Sequence, residues 1–272
     1  MHAPRPGFLA LRVPPQPLVS RALGAGATAL LLGAWFLATL GATPESRLVS
    51  PVILPSPAEV FGSFGELWTE RALGASIIAT LRRVLAGFGL AVVVGVPLGI
   101  VAGAWRVIES AGQPVALFGR NVPVAALIPL TILWFGIDET QKVMFIFIAC
   151  VPFVYSDAVR AITSVPDRYV ETAETLGASA GQVISKVLVP LALPDIYASL
   201  RSLFGMAFGY IMLAELINAG HGLGYLLSTS QRRGLSEHII LILLIIGAIA
   251  FGVDRFLGWV QRGLFPYRQE AE

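Results

Sequence analysis

Long runs without a charged residue govern what this chain can fold into. Residues 22–44 carry none, and neither do 84–105, 121–137, 143–156 and 238–253. A sixth apolar stretch, 187–214, is interrupted only by Asp195 and Arg201. A charge at the centre of a bilayer is costly, and a helix needs about 20 predominantly apolar residues to cross. The shorter runs reach that length by taking in charged residues at their ends, whose heads can snorkel to the interface. The reading is an all-α membrane protein of about six transmembrane helices, near 22–44, 84–105, 119–137, 141–161, 187–216 and 238–258. Composition agrees: 13% of residues are charged, where a water-facing surface calls for about 25%.

The placement of Lys and Arg sets the expected orientation. With the N-terminus inside, the cytosolic segments hold eleven Lys/Arg and the outer segments seven. Both termini, residues 1–21 and 261–272, are then cytosolic tails. The first run exceeds the roughly 7–15 residues of a signal-peptide core, so it is read as an uncleaved span. Residues 45–74, with Pro51, Pro55 and Pro57, form an outer strap that begins extended, because proline interrupts helices. In the second span Gly87, Ala91, Gly95, Gly99 and Gly103 recur every four residues, a strip that lets a neighbouring backbone approach closely. Gly205 and Gly209 repeat the device in the fifth span.

The net charge of +2 gives no basis for nucleic-acid binding. A lone Cys150 excludes an intrachain disulfide, and His2, His221 and His238 have no metal-ligand spacing. Only two lysines exist, Lys142 and Lys186, and neither follows a glycine. A phosphate-binding P-loop, which needs Gly-Lys, is therefore absent and the chain itself does not hydrolyse ATP.

Between the fourth and fifth spans, residues 162–186 are less apolar. Ser164 can cap a helix, with Pro166 in its first turn and Asp167 three residues on. That helix runs to Leu176 and stops at Gly177, the residue type that most easily turns left-handed. Ser179 then caps a second helix, with Gln182 three residues on, which re-enters the membrane at Val187. A short helix held between two spans is a lever, because it moves only by moving both.

The residues of this loop also carry a resemblance. Glu171-Thr172-Ala173, Gly177 and Val187-Leu188-Val189-Pro190 resemble the EAA motif of binding-protein-dependent ABC permeases: Glu-Ala-Ala, three residues, Gly, nine residues, Ile-x-Leu-Pro. Thr172, Val187 and Val189 depart from it by small or apolar exchanges. Leu54-Pro-Ser-Pro57, Thr80-Leu-Arg-Arg83, Ile128-Pro-Leu130 with Trp134-Phe-Gly136, and Ala214-Glu-Leu216 followed by Gly222-Leu-Gly224 are similar to the nitrate/sulfonate/taurine branch. The resemblance covers most of the chain beyond about residue 50.

It implies a MetI-like type I ABC-importer permease fold in a bacterial cytoplasmic membrane. Two copies of the chain would be clasped by two ATPase subunits, which bind the ATP and Mg. An external solute-binding protein would deliver a small solute, an anion such as nitrate, taurine or an alkanesulfonate. Glu171, Ala173, Gly177 and Pro190 would form the ATPase-docking loop. Two alternatives are a secondary transporter and a non-transporting membrane scaffold or sensor.

Charges in or beside spans are read as functional by default. Arg201 and Glu215 are candidates for the pathway or for an interface. Fourteen residues apart, they lie roughly 21 Å apart along a helix and cannot pair with each other. Asp254 and Arg255 read as interfacial.

Overall fold

The computed structural model describes residues 16–41, 46–217 and 219–267. His2, Arg5, Arg12 and Arg268 lie outside them. The described residues form helices without a strand. Five helices are long and apolar enough to cross a membrane, and a bent pair makes a sixth candidate.

The first long helix, α1 (Pro17–Ala38), starts with proline in its first turn, where the missing N–H costs nothing. It stands apart from the bundle, tied by the Trp35 indole donating to the Pro55 carbonyl at 2.9 Å. The strap is more structured than its prolines suggest, for it holds two short helices, α2 (Pro57–Gly62) and α3 (Phe64–Thr69). A capping box starts α2: the Glu59 N–H donates to Ser56 Oγ at 3.3 Å and the Ser56 N–H to Glu59 Oε2 at 2.7 Å. Both Arg47 Nη atoms reach the same carboxylate at 3.0 Å, and with Ser56 they hold Glu59 well below the ordinary carboxylate range, at about 2.

The centre of the bundle is the parallel pair α4 (Leu73–Ala104) and α7 (Glu139–Thr163). The small-residue strip of α4 lies directly on α7. A Cβ on Gly87 would stand 2.6 Å from Ile146 Cβ, on Gly95 2.8 Å from Val154 Cγ1, on Gly99 2.5 Å from Ala158 Cβ, and on Gly103 2.8 Å from Ile162 Cβ. No side chain fits along that line. The two backbones therefore approach closely over most of their length, and dispersion contacts replace the hydrophobic effect that lipid does not supply. Phe88, Phe145, Ile146, Val154, Phe204 and Ile211 fill the core around them.

Between these two helices the chain breaks. The segment read as a span near 119–137 is broken close to its start: residues 119–121 end α5 (Arg106–Asn121), the uncharged run beyond them holds α6 (Leu127–Phe135), and the two arms meet at 87°. The cause is Pro123, which lacks an N–H and forces Val122 into an extended conformation (φ −67°, ψ 126°).

The chain continues through α8 (Asp167–Thr175), α9 (Ala180–Val183), a π turn over Ile184–Leu188, and α10 (Val189–Glu215). The wide turn ends two residues before Pro190, whose ring crowds the carbonyl four residues back, within that turn. Last come α11 (Leu223–Arg233) and α12 (Ser236–Leu264). Gly205 and Gly209 differ from the α4 strip: nothing lies within 4 Å of a Cβ built on either, so that face of α10 is open in the single chain.

Candidate functional site

The loop between α7 and α10 folds as a helix laid across one end of the bundle. Its start differs from the sequence reading. Ser164 continues α7, with its N–H donating to the Arg160 carbonyl at 3.0 Å and its hydroxyl to the Ala161 carbonyl at 2.8 Å. Buried Val165 holds the chain against the bundle there, and Pro166 precedes the first residue of α8. The capping-box role assigned to Ser164 is thus incorrect.

The end follows the reading. Gly177 is left-handed at φ 83°. The Ala178 N–H donates to the Ala173 carbonyl at 3.0 Å and the Gly177 N–H to the Glu174 carbonyl at 2.8 Å. These two bonds are the Schellman pattern, which satisfies carbonyls that the helix end leaves open. Gln182 Oε1 accepts the Ser179 N–H at 2.9 Å, starting α9 as expected.

The two faces of α8 differ. Val170 and Ala173 turn inward, packing with Ala178 on a cluster of Ala161, Ile162, Val165, Val183, Leu188 and Ile196. The partly buried Val96, Ile100 and Ala104 of α4 complete this base. Arg168, Tyr169, Glu171, Thr172, Leu176 and Gly177 face outward, and Leu176 is 83% exposed. A bare Leu on a polar helix is a ready anchor for a partner groove. Among the expected docking residues Glu171 and Gly177 are therefore presented to solvent. Ala173 is half-buried and supports the helix from beneath, and Pro190 lies exposed at the start of α10. A load on α8 is passed to the ends of α4, α7 and α10 together.

The opposite end of the bundle is held by charge. Glu215 is fully buried. It accepts from Thr80 Oγ1 at 2.8 Å, Arg83 Nη1 at 2.7 Å and the Gly224 N–H at 2.9 Å. Arg83 Nη1 also donates to the His221 carbonyl at 2.7 Å, while its Nε donates to Glu139 at 2.7 Å. Thr80 Oγ1 in turn accepts the Leu223 N–H at 3.0 Å. A carboxylate and a guanidinium removed from water persist only when their remaining hydrogen-bonding sites are filled, as they are here. Gly222 and Gly224 make room: a Cβ on Gly222 (φ 141°) would lie 2.5 Å from the Glu215 carboxyl.

Two motifs read separately in the sequence, Thr80-Leu-Arg-Arg83 and Ala214-Glu-Leu216 with Gly222-Leu-Gly224, thus form one network joining α4, α7, α10 and α11. Sequence reasoning missed Arg83 as the partner of Glu215 and Glu139 as the second carboxylate on that guanidinium. The available signal was that Arg83 and Glu215 are opposite charges at the same end of two neighbouring spans.

Arg201, the other candidate, joins α10 to α12. Its Nε and Nη2 reach the two Asp254 carboxylate oxygens at 2.6 Å each, and Nη1 reaches Gln261 at 3.4 Å. Gly258 lets it lie flat, since a Cβ there would meet Arg201 Nη1 at 2.8 Å. Arg201 and Glu215 do not meet, and each is paired within the single chain.

Residues 95–266 match the family described as binding-protein-dependent transport system inner membrane component. The chain is 32% identical to the taurine transport system permease protein TauC of Escherichia coli over 92% of its own length and 91% of that protein. It is 30% identical to the putative aliphatic sulfonates transport permease protein SsuC of Bacillus subtilis, covering 89% and 88%. It is 32% identical to the nitrate import permease protein NrtB of Synechococcus elongatus, covering 81% and 79%. Its fold is that of the inward-facing methionine ABC transporter MetNI, with TM-score 0.58 at 20% identity over 71% of this chain and 99% of that one. A bacterial alginate ABC transporter aligns with TM-score 0.54 at 16% identity over 90% and 96%. An all-helical bundle with these relatives over nearly its whole length belongs to the family of inner membrane components of binding-protein-dependent ABC transport systems.

Proposed function

We propose that this permease carries a small anion of the nitrate, taurine or alkanesulfonate class, powered by a separate ATPase that docks on α8. The observation that carries the docking assignment is α8 itself. It is a short helix, capped by a left-handed glycine, that shows Glu171 and Leu176 to solvent while its underside grips three long helices. Such a helix transmits force without needing a catalytic group of its own.

In this reading two copies of the chain clasp a shared pathway, and two ATPase subunits hold ATP and Mg on the cytosolic side. A solute-binding protein loads the pathway from outside. Both termini, α8 and the inner ends of α4 and α7 then face the cytosol across the inner membrane. The strap, α11 and the Arg83–Glu215 network face the exterior. The spans are α1, α4, the bent α5–α6 pair, α7, α10 with its lead-in, and α12. Closure of the ATPase pair drags α8 and switches the bundle between two packings, a rigid-body change. The anion class is supported by the three relatives named for taurine, sulfonates and nitrate.

The test is purification of the tagged permease from its own cell, followed by reconstitution with its ATPase and binding protein. ATP-dependent uptake of labelled nitrate, taurine or an alkanesulfonate is expected, with Glu171→Arg weakening ATPase retention. Uptake driven by an ion gradient without ATP would overturn the reading in favour of a secondary transporter.

A further inference from the structure

The break between α5 and α6 places a cation where membrane helices rarely hold one. Arg120 is the next-to-last residue of α5, and its guanidinium lies over the Phe153 ring, 5.1 Å from the centroid. Phe153 is the fifteenth of the 25 residues of α7, about 3 Å from that helix's midpoint at 1.5 Å per residue. The position is fixed from behind, because Gly119 presses on α7 so closely that a Cβ would meet Pro152 Cγ at 2.8 Å. Arg120 therefore sits near half-depth of α7.

Its charge is not cancelled. Between α5 and α7 runs a cleft of about 280 Å³, lined by Glu109, Gln113, Arg120, Tyr155, Ser156 and Arg160 and continuing to Thr163 at the α8 end. Within it Glu109 is paired with Arg106 at 3.0 Å, and Arg160 with Asp157 at 3.5 Å. Among the described residues Arg120 has neither a carboxylate nor a hydrogen-bond acceptor in reach, so the cleft carries one excess positive charge at its deep end.

A lone guanidinium at that depth is costly in hydrocarbon and persists where it meets water or an anion. Backbone broken at membrane depth is likewise tolerated only where it lines a cavity. The stacking on Phe153 holds the guanidinium plane and leaves its N–H fork to point elsewhere. A planar fork of donors suits an oxyanion such as a sulfonate or nitrate.

We propose that Arg120, at the α5–α6 break, is a binding residue for a small oxyanion inside the membrane, with the Tyr155 hydroxyl on the wall of the same cleft and Ser156 beside it, its own hydroxyl donating to the Pro152 carbonyl at 2.7 Å. The proposal rests on the permease reading for the anion class, and names the residue that receives it. A purely structural Arg120, offsetting the negative end of α5, would not be shielded by added anion.

The test uses the assembled transporter with the permease chain's only cysteine removed (Cys150→Ser) and a reporter thiol placed in that chain by Ser156→Cys, labelling of the permease band being compared with the Cys150→Ser parent. Labelling rates are measured with the anionic reagent 2-sulfonatoethyl methanethiosulfonate and the cationic 2-(trimethylammonio)ethyl methanethiosulfonate. Arg120→Gln is expected to lower the anionic-to-cationic rate ratio roughly fivefold or more, the effect of removing a unit charge several ångströms away. Arg120→Lys should keep the ratio. Ethanesulfonate or nitrate should slow labelling when Arg120 is present and not in Arg120→Gln.

A ratio indifferent to Arg120→Gln, an unreactive thiol, or anion protection that survives Arg120→Gln would each overturn the proposal. If the site behaves as expected while ATP drives no uptake of nitrate, taurine or ethanesulfonate, the transport reading fails and the anion site stands. If uptake is found and the ratio is unmoved, the site alone fails.

Discussion

Replacing Gly177 tests whether backbone conformation, rather than residue chemistry, sets the docking helix. At φ 83° a Cβ on Gly177 would have no atom within 4 Å, so substitution brings no collision and the whole effect is torsional. The left-handed conformation costs an L-residue about 1–2 kcal/mol, with β-branched residues at the upper end and Asn the best tolerated. A penalty of one or two kcal/mol shifts a two-state population by a factor of roughly 5–30. The order expected for binding-protein-stimulated ATPase activity and for retained ATPase subunit is Gly, then Asn, then Ala, then Val. Thermal unfolding of the bundle should be nearly unchanged in all four, because α8 buries no residue fully and the penalty is local. Val equal to Asn would refute the torsional argument. Full coupling in Gly177→Val would show that the Schellman turn does not position the helix.

Arg83→Met removes the partner of a buried carboxylate and should destabilise the fold by about 3–5 kcal/mol, seen as a lower melting temperature in detergent; adding Glu215→Gln should recover part of the loss. Gly99→Val must force α4 from α7, where even a Cβ would stand 2.7 Å from the Tyr155 carbonyl oxygen, and should cost about 1–3 kcal/mol. Gly209→Ala, with open space around it, should leave the melting temperature unchanged, so any loss of transport would mark that face as one used in the assembly. The Glu59 carboxylate, held at about 2 against an ordinary 4.5, stabilises the strap fully above the ordinary value and loses that contribution as pH falls toward 2. Arg47→Ala should raise the pH at which amide exchange around Ser56–Glu59 accelerates, and an unchanged profile would dismiss the pairing.

Much of this architecture is legible because lipid imposes a simple rule on charge. Charge-free runs locate the long helices, and the four-residue glycine register of α4 identifies a face that does lie against α7. Gly177 was readable for the same kind of reason, since few residues other than glycine end a helix in a left-handed turn. Counting charges reveals nothing about breaks, however. Pro123 stands three residues into an uncharged run, and its effect on Val122 is what bends the chain between α5 and α6 and stations Arg120 at depth. Ser164 illustrates the converse limit: its capping chemistry was available, but burying Val165 kept α7 helical for one more turn. Glu215 shows a third. A sequence can put it at one end of the bundle, while only the packing of α4 against α10 brings Arg83 within 2.7 Å.

The three features act on one mechanical unit. The glycine strip presses α4 and α7 together closely enough that they must move as a single body, because any separation exposes a line with no side chains to fill it. At one end that body is gripped by directional bonds, with Arg83 holding Glu139 of α7 and Glu215 of α10. At the other it meets α8 through apolar contacts among Ala161, Ile162, Val165, Val183 and Leu188. Apolar contacts are non-directional and slide at little cost, whereas the charged network loses several bonds if its members shift. A push on α8 is therefore expected to pivot α7 about the Arg83 end, with displacement growing toward α8. Arg120 and its cleft lie between the pivot and the load, where α5 crosses α7, so the same motion widens or narrows the space beside the one unpaired cation described there.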